Sequence, residues 1–250
     1  MNKKKIVCII QARMGSTRLP GKIMLDLVGK PVLLRVVDRV LESKKIDQIV
    51  VATTTNPNDQ KVVNLIENYH PKVFVYRGSE EDVLDRYYQA AKYYKADSIV
   101  RITSDCPLID PEIIDKVINT FLEEKDIDYA SNVLGKRTYP RGLDVEVVSF
   151  EALKKTWQEA HEPDYREHVT LYIGKNPNLF KSKNITNTSD YSYYRWTIDE
   201  RNDYNLIKII YQELYPKNPN FKMEEVINLF KKRPELIKIN QDVKQKLSHF

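Results

Sequence analysis

Hydrophobic positions in the first half of the chain follow two alternating patterns. Short runs of apolar and β-branched residues predict buried strands at residues 5–11, 48–54, 72–76 and 98–103. Apolar residues at helical spacing predict helices at residues 32–41, 56–69, 81–94 and 111–123. Strands and helices that alternate in this way predict an α/β fold, with a mostly parallel central sheet and helices on both faces.

The second half of the chain is less regular. Strands are predicted at residues 143–148 and 193–198, and helices at residues 150–160, 165–174 and 203–215. From Pro216 the sequence pattern changes, since Pro219 and Pro234 flank a short predicted helix at residues 222–232. We therefore predict a main domain over residues 1–215 and a helical C-terminal extension over residues 216–250.

The loop after the first predicted strand carries the strongest chemical signal. In an open parallel sheet, ligands bind beyond the carboxyl ends of the strands, which is where this loop lies. It reads QARMGSTRLPGK over residues 11–22 and supplies the cations Arg13, Arg18 and Lys22. Its glycines let the backbone approach a ligand, and exposed amides in such a turn attract anions. The loop predicts a polyphosphate site, and a solvated cationic loop is the alternative.

This loop differs from the common phosphate-binding loop of nucleotide-hydrolysing enzymes. Five residues separate Gly15 from Gly21, where that motif has four. Ile23 stands where the motif needs a serine or threonine for magnesium. The sequence therefore excludes that class of site.

Carboxylates follow two other predicted strands. A polyphosphate carries negative charge that a metal can offset, and Mg²⁺ prefers one or two carboxylates together with phosphate oxygens. Asp105 follows the fourth strand, and Asp199 ends the predicted strand at 193–198. Each could instead be an ordinary turn or helix-capping aspartate. Placed at strand ends, the two are the candidate magnesium ligands.

Weaker candidates lie elsewhere. Asp144 and Glu146 are two apart on a predicted strand and share a face. They could bind sugar hydroxyls, help to bind the metal, or form the solvent-facing side of an edge strand. Arg77 and Ser79 follow the third strand, where Ser79 also suits a helix N-cap. His168 is predicted on a helix, where a lone histidine is more often structural.

Composition narrows the function. The chain has 250 residues, 42% of them hydrophobic and 30% charged, which suits a folded domain with a sizeable core. A net charge of +5 without a long basic stripe argues against a nucleic-acid partner. Two cysteines and four histidines show no zinc spacing. The apolar run after the N-terminal lysines is too short for a signal peptide, and no run is long enough to span a membrane, so we predict a cytoplasmic location.

The loop at residues 10–22 resembles the signature of sugar nucleotidyltransferases. It is most similar to cytidylyltransferases that make CMP-activated acid sugars, such as the acylneuraminate and KDO enzymes, and within them to the spore-coat polysaccharide SpsF type. Further similar segments are DCPL at 105–108, GLDVEV at 142–147, REHVT at 166–170 and TID at 197–199. A segment at 78–84 is also similar to one that the family places beside the nucleotide. Ile198 stands where the family has valine.

The resemblance implies a Rossmann-like fold of the nucleotide-diphospho-sugar transferase type, related to GT-A glycosyltransferases. It implies transfer of CMP from CTP to a sugar or acid sugar, with release of pyrophosphate, in surface polysaccharide synthesis. It also implies a homodimer, with residues 130–180 forming the acceptor site and dimer contact.

The resemblance also assigns roles to residues. The residues assigned to the nucleotide are Gln11, Ala12, Arg13, Gly15, Ser16, Arg18, Lys22, Arg77, Ser79 and Asp105. Asp105 and Asp199 are implied to bind Mg²⁺, and with Arg13 and Lys22 they form the implied catalytic set. Asp144, Glu146 and His168 are implied to contact the acceptor.

Two alternatives stay open from the sequence. A glycosyltransferase of related fold usually shows Asp-x-Asp at a strand end, and Asp126-Ile127-Asp128 has those letters. A non-catalytic nucleotide-binding subunit would keep the loop and lose the metal-binding acids, and both acids are present.

Overall fold

The parallel part of the sheet comes from the first half of the chain. The structure is a computed structural model that describes residues 4–245. Its first strands are β1 (Ile6–Gln11), β2 (Gln48–Thr54), β3 (Val73–Gly78) and β4 (Ser98–Thr103), which pair in parallel in the order β3-β2-β1-β4. All but the last residue of β1 are buried, as expected for a central strand covered on both faces.

Helices cover both faces of this sheet. The first four are α1 (Val32–Leu41), α2 (Gln60–Ile66), α3 (Val83–Tyr93) and α4 (Pro111–Glu123). Buried residues of α1 and α4 belong to one core cluster, and those of α3 to a second cluster that shares the alternate side chains of β1. The predicted fold class is therefore confirmed. Asp82 and Asp110 cap α3 and α4 by accepting backbone N–H bonds within the first turn.

The second half extends the sheet with short strands. These are β5 (Tyr129–Ser131), β6 (Glu146–Ser149) and β7 (Ser182–Asn184). Strand β6 runs antiparallel to β4 and β5, and β7 is parallel to β5. Within the part of the chain that the structure describes, the sheet has seven strands in the order β3-β2-β1-β4-β6-β5-β7.

Two predicted elements of the second half are wrong. Residues 193–198 form no strand, and their only ladder contact is a single bridge between Arg141 and Arg195. Their alternation reflects aromatic packing instead, with Tyr194 and Trp196 against Phe230 at ring distances of 5.0 and 6.0 Å. The predicted helix at 165–174 is divided into α6 (Pro163–Glu167) and α7 (Leu171–Lys175).

The break between α6 and α7 falls at His168, whose ψ of 78° is not helical. Val169 and Thr170, which follow it, are each only 1% exposed. The chain turns inward there to bury them, which a regular helix on the surface would not allow. The other predicted long helix, at 56–69, is also shorter in the structure, since a 3₁₀ turn (Pro57–Asp59) precedes α2.

The C-terminal extension packs into the main core. The remaining helices are α5 (Phe150–Glu159), α8 (Arg201–Leu214) and α9 (Met223–Lys232), followed by a 3₁₀ turn (Pro234–Ile239). Phe221, Phe230 and Leu236 lie in the same core cluster as Trp196. Across residues 4–245, none of the helices has the length and apolar character needed to cross a lipid bilayer.

Candidate active site

The loop after β1 is anchored at its base by a buried aspartate. The Met14 amide donates to Oδ1 of Asp59 at 2.7 Å, and Asp59, only 2% exposed, also accepts from the Thr54 hydroxyl. The loop closes on itself where the Gly21 amide donates to the Met14 carbonyl at 3.2 Å, with Gly21 at φ 66°. The sequence did not point to Asp59, which reads there only as part of a helix start.

Four predicted residues meet beyond the carboxyl ends of the strands. Nζ of Lys22 lies 2.6 Å from Oδ2 of Asp105 and 2.9 Å from Oδ1 of Asp199. Arg18 Nη2 lies 2.9 Å from the same oxygen of Asp199. On the other side of Asp199, Oδ2 accepts from Nη2 of Arg195 at 2.7 Å. This charged cluster therefore joins the loop after β1 to both candidate metal ligands.

Backbone contacts set the distance between the two aspartates. The Ile198 amide donates to the Asp105 carbonyl at 2.8 Å, so the two acidic segments lie side by side. The backbone amide of Trp196 in turn donates a hydrogen bond to the Arg141 carbonyl at 2.7 Å. Asp199 is not a helix cap, since the N-cap of α8 is Glu200.

Gly142 makes this close approach possible. Its φ is 99°, and a Cβ atom there would lie 2.6 Å from the carbonyl carbon and oxygen of Trp196. We expect Gly142→Ala to displace the 196–199 segment and to lower the free energy of unfolding by about 2–4 kcal/mol, because backbone strain and a fixed clash add. Chemical denaturation measures this loss. Gly135→Ala is the control, since Gly135 also has positive φ but nothing within 4 Å of the added Cβ.

The charges in the cluster reinforce one another. Burial alone would lower the pKa of Lys22, but the charges of Asp105 and Asp199 outweigh it and raise that pKa above its ordinary value. Burial would raise the pKa of Asp105, but the charge and hydrogen bond of Lys22 outweigh it and lower that pKa.

The pH dependence of stability follows from these directions. The contribution of Asp105 to the free energy of unfolding is complete above the pKa that Asp105 has in the unfolded chain. It is lost as the pH falls through the lowered pKa of the folded protein. The contribution of Lys22 to the same free energy is complete below the pKa that Lys22 has in the unfolded chain. It is lost as the pH rises through the raised pKa of the folded protein. The stabilising contributions of Asp105 and Lys22 are therefore both complete between about pH 4 and about pH 10, the ordinary pKa values of the two side chains.

The two aspartates fit a hard divalent cation. Each offers a carboxylate oxygen to Lys22, whose ammonium is a positive charge held between them. Within residues 4–245 there is no group of three or more His, Cys, Asp and Glu side chains placed to hold a metal. Two carboxylates match Mg²⁺, which completes its shell with phosphate oxygens and waters.

The remaining loop residues lie around this cluster. Arg13 has a 40% exposed side chain 3.8 Å from the Glu167 carboxylate, so its guanidinium is accessible. Ser16 Oγ accepts weakly from the Leu19 amide at 3.4 Å. A Cβ on Gly15 would meet only Glu80, at 4.0 Å, which leaves the backbone open at this point.

Gln11 and Ala12, which the resemblance assigns to the nucleotide, lie deeper than the rest of the loop. Ala12 is 2% exposed, and its amide donates to the Ala52 carbonyl at 3.1 Å. Gln11 Oε1 accepts from Arg101 at 3.3 Å. These contacts fix the strand end from which the loop departs.

Arg77 and Ser79 have structural partners. The Arg77 guanidinium donates to the carbonyls of Thr54 and Asn56 at 3.0 and 3.1 Å, and so holds the loop after β2. Ser79 Oγ accepts from the Asp82 amide at 3.1 Å, while Asp82 itself caps α3. Their predicted contact with the nucleotide stays a prediction.

Of the predicted acceptor residues, Asp144 and His168 differ from Glu146 in their surroundings. Asp144 forms a bidentate ion pair with Arg137, and its side chain is 34% exposed, so it remains accessible. Burial, and then the charge of Arg101, lower the pKa of His168, so its imidazole is neutral near pH 7.

Glu146 is placed differently from what the sequence predicted. It is only 2% exposed, and its carboxylate accepts from Arg101, from the Thr170 hydroxyl and from the Tyr129 hydroxyl, the last at 2.5 Å. These protein donors already use both oxygens. Glu146 therefore holds Arg101 in place rather than presenting an oxygen to a sugar.

The Asp-x-Asp segment at residues 126–128 lies at the edge of the sheet opposite the candidate site. Asp126 and Asp128 precede β5, which runs parallel to β4, so they lie at its amino end. Oδ2 of Asp128 accepts from the Lys181 amide at 2.9 Å, a structural contact. Asp105, in contrast, follows the carboxyl end of β4.

Comparison with known proteins places the chain in a family. Residues 7–246 match the family model described as cytidylyltransferase. The spore coat polysaccharide biosynthesis protein SpsF of Bacillus subtilis is 36% identical over 240 residues, which is 92% of this chain and 95% of SpsF. An uncharacterized protein of Methanocaldococcus jannaschii is 42% identical over 97% of each chain.

A solved structure agrees over the whole length. A cytidylyltransferase from Leptospira borgpetersenii superposes with a TM-score of 0.89 at 36% identity, covering 98% of this chain and all of the other. The likeness therefore includes the loop after β1, the Asp105 turn and the Asp199 segment. The resemblance seen in the sequence is confirmed: the chain belongs to the cytidylyltransferase family.

Proposed function

We propose that the protein transfers CMP from CTP to a sugar or acid sugar and releases pyrophosphate. An acceptor hydroxyl oxygen forms a bond to the α-phosphorus, and the bond from that phosphorus to the β-bridging oxygen breaks. Pyrophosphate leaves with the bond electrons, and the hydroxyl proton passes to solvent. The observation that carries the proposal is Lys22 held between Asp105 and Asp199, at the end of a cationic loop.

The loop would bind the triphosphate. Arg13 is accessible for phosphate contact, and the charges of Arg18 and Lys22 now neutralise Asp199. When CTP binds, Arg18 and Lys22 can turn from the carboxylate to the phosphate oxygens, which are also anionic. Such a reaction is catalysed mainly by positioning and by electrostatic stabilisation.

Asp105 and Asp199 are the residues that would hold Mg²⁺. The bound ion would neutralise charge on the attacked phosphate and on the departing pyrophosphate. Without metal, the Lys22 ammonium supplies the positive charge beside both carboxylates. If Mg²⁺ took its place there, the ammonium would become available to bind a phosphate. Lys22 and Arg18 together thereby offset the charge of the two carboxylates before substrate arrives.

Arginines near Asp144 suit an anionic acceptor. Burial, and then the charge of Arg137, lower the pKa of Arg141. Among residues 4–245, Arg141 makes no ion pair with a carboxylate, while Arg137 pairs with Asp144. A carboxylate on the acceptor would relieve this excess of positive charge, which favours an acid sugar over a neutral one.

The name of SpsF supports a role in polysaccharide synthesis. A cytoplasmic homodimer with contact through residues 130–180 also belongs to the proposal, and Leu179, 46% exposed, lies in that region. Sedimentation equilibrium of the purified chain tests the dimer, since a monomer mass at micromolar concentration would exclude it.

Nucleotide choice tests the proposal by binding alone. Isothermal titration with CTP, UTP, ATP and GTP in the presence of Mg²⁺ is expected to give at least tenfold tighter binding for CTP, about 1.4 kcal/mol. Equal affinity for all four would remove the cytidylyl part of the proposal. Tighter binding of a nucleotide sugar than of any triphosphate would favour the glycosyltransferase alternative.

A further inference from the structure

We propose that Asn240, in the C-terminal extension, is a positioning residue for Asp199; the inference rests on the proposed function, in which Asp199 is a metal ligand. Asn240 follows the 3₁₀ turn Pro234–Ile239 and is 5% exposed. Its amide nitrogen donates to Oδ1 of Asp203 at 2.9 Å and to the backbone carbonyl of Arg195 at 3.0 Å. One side chain thus contacts both residues that hold Asp199.

Asp203 fixes the backbone at Asp199. It is completely buried, and its Oδ2 accepts from the amides of Asp199 and Glu200, each at 3.0 Å. Its Oδ1 accepts from Nε of Arg195 at 2.9 Å, beside the donor from Asn240. A change in the orientation of this carboxylate therefore moves the peptide on which Asp199 stands.

Arg195 fixes the side chain of Asp199. Its Nη2 donates to Oδ2 of Asp199 at 2.7 Å, which leaves Oδ1 directed at Lys22. The backbone carbonyl of Arg195 accepts from Asn240, so the extension holds this residue from the main chain as well. Main chain and carboxylate of Asp199 are both oriented by a network that includes Asn240.

The chemistry requires an amide at position 240. Its nitrogen supplies two protons, one to each acceptor, which alanine cannot do. An aspartate has nearly the same shape but would place carboxylate oxygens against the Asp203 carboxylate and a carbonyl.

The extension has other anchors, so removal of Asn240 need not detach it. Phe230 packs on Tyr194 and Trp196, and Phe221 and Leu236 are also buried in the main core. A cavity of about 220 Å³ borders Asn240 and Arg195, so water can reach the site of a shortened side chain. Variants at position 240 are therefore expected to fold.

The test compares Asn240→Ala and Asn240→Asp with Gln241→Ala, an exposed neighbour in the same segment. We expect both Asn240 variants to lower kcat and to raise the Mg²⁺ concentration for half-maximal rate, by about 10–100-fold, as for other residues that orient metal ligands. Asn240→Asp is expected to be the more severe. At saturating Mg²⁺ the KM for CTP stays within about twofold, since no phosphate contact is lost, and Gln241→Ala behaves as wild type.

A calorimetric readout separates this inference from the proposed function. Wild-type protein and the variants are titrated with CTP, with and without Mg²⁺. We expect the gain in affinity due to Mg²⁺ to shrink in the Asn240 variants, while metal-free affinity is unchanged. A lower melting temperature with an unchanged metal effect and unchanged kcat would reduce Asn240 to a structural role. If wild type binds CTP yet turns over no acceptor, the proposed function fails, and the titration still decides the role of Asn240.

Discussion

Replacing Asp105 or Asp199 with asparagine is expected to lower kcat by roughly a thousandfold. Each change removes a carboxylate charge and keeps the side-chain shape. A bound metal supplies several kcal/mol of charge stabilisation in such reactions, and about 4 kcal/mol corresponds to a thousandfold in rate. Pyrophosphate release at saturating CTP and Mg²⁺ measures the loss, and the KM for CTP should change far less than kcat.

Asp126→Asn is the matched control for these variants. Asp126 is exposed, has a positive φ of 56° that asparagine tolerates, and belongs to the Asp-x-Asp letters at the other edge of the sheet. We expect its turnover to equal that of wild type. A large loss in Asp126→Asn, with Asp105→Asn and Asp199→Asn still active, would overturn the assignment of the metal site.

Replacing Lys22 with methionine is expected to change two properties in opposite directions. Turnover should fall by about a hundredfold, because the triphosphate loses an ammonium partner. Divalent-cation affinity without nucleotide should rise by about tenfold or more, because the Lys22 ammonium now occupies the position between the two carboxylates. A unit charge about 4 Å away is worth about 4 kcal/mol at an effective dielectric constant of 20.

Binding of Mn²⁺ to the nucleotide-free protein, followed by electron paramagnetic resonance, measures the second effect. Lys30→Met is the control, since Lys30 pairs with Asp38 and touches neither aspartate of the site. Weaker Mn²⁺ binding in Lys22→Met would contradict the view that lysine and metal compete for the same carboxylates.

Four elements in the first half of the fold could be predicted residue by residue. The predicted spans of α1, β2, β4 and α4 coincide with the structure, since continuous apolar strands and amphipathic helices leave periodic signals. Strands β5 and β7 have only three residues each, too few to show a period. Residues 193–198 show the right alternation for a strand, but their aromatic rings pack against the C-terminal extension.

The site was predictable where it lies at strand ends. Loop 11–22 and Asp105 follow strands directly, so topology alone brings them to one edge. Asp199 lies beside Asp105, as predicted, although the predicted strand before Asp199 is absent. The Ile198 amide, which donates to the Asp105 carbonyl, brings the two segments together.

The supporting residues could not be found from sequence. Asp59 and Asn240 act through hydrogen bonds to residues distant in sequence, and Asn240 lies 37 residues from Asp203, its main partner. No local pattern distinguishes such an asparagine from one on the surface. Glu146 illustrates the converse, since an alternating strand pattern cannot tell a solvent-facing acid from one that is buried with an arginine.

The most direct test of the central claim is the identity of the products. The purified chain is incubated with Mg²⁺, CTP and a panel of acid sugars, and phosphorus NMR follows the nucleotide. The account predicts that one acceptor yields pyrophosphate and a CMP-linked sugar in equal amounts, and that Asp105→Asn reacts roughly a thousandfold more slowly. Release of a nucleoside diphosphate from a nucleotide sugar, without any use of CTP across the panel, would contradict it.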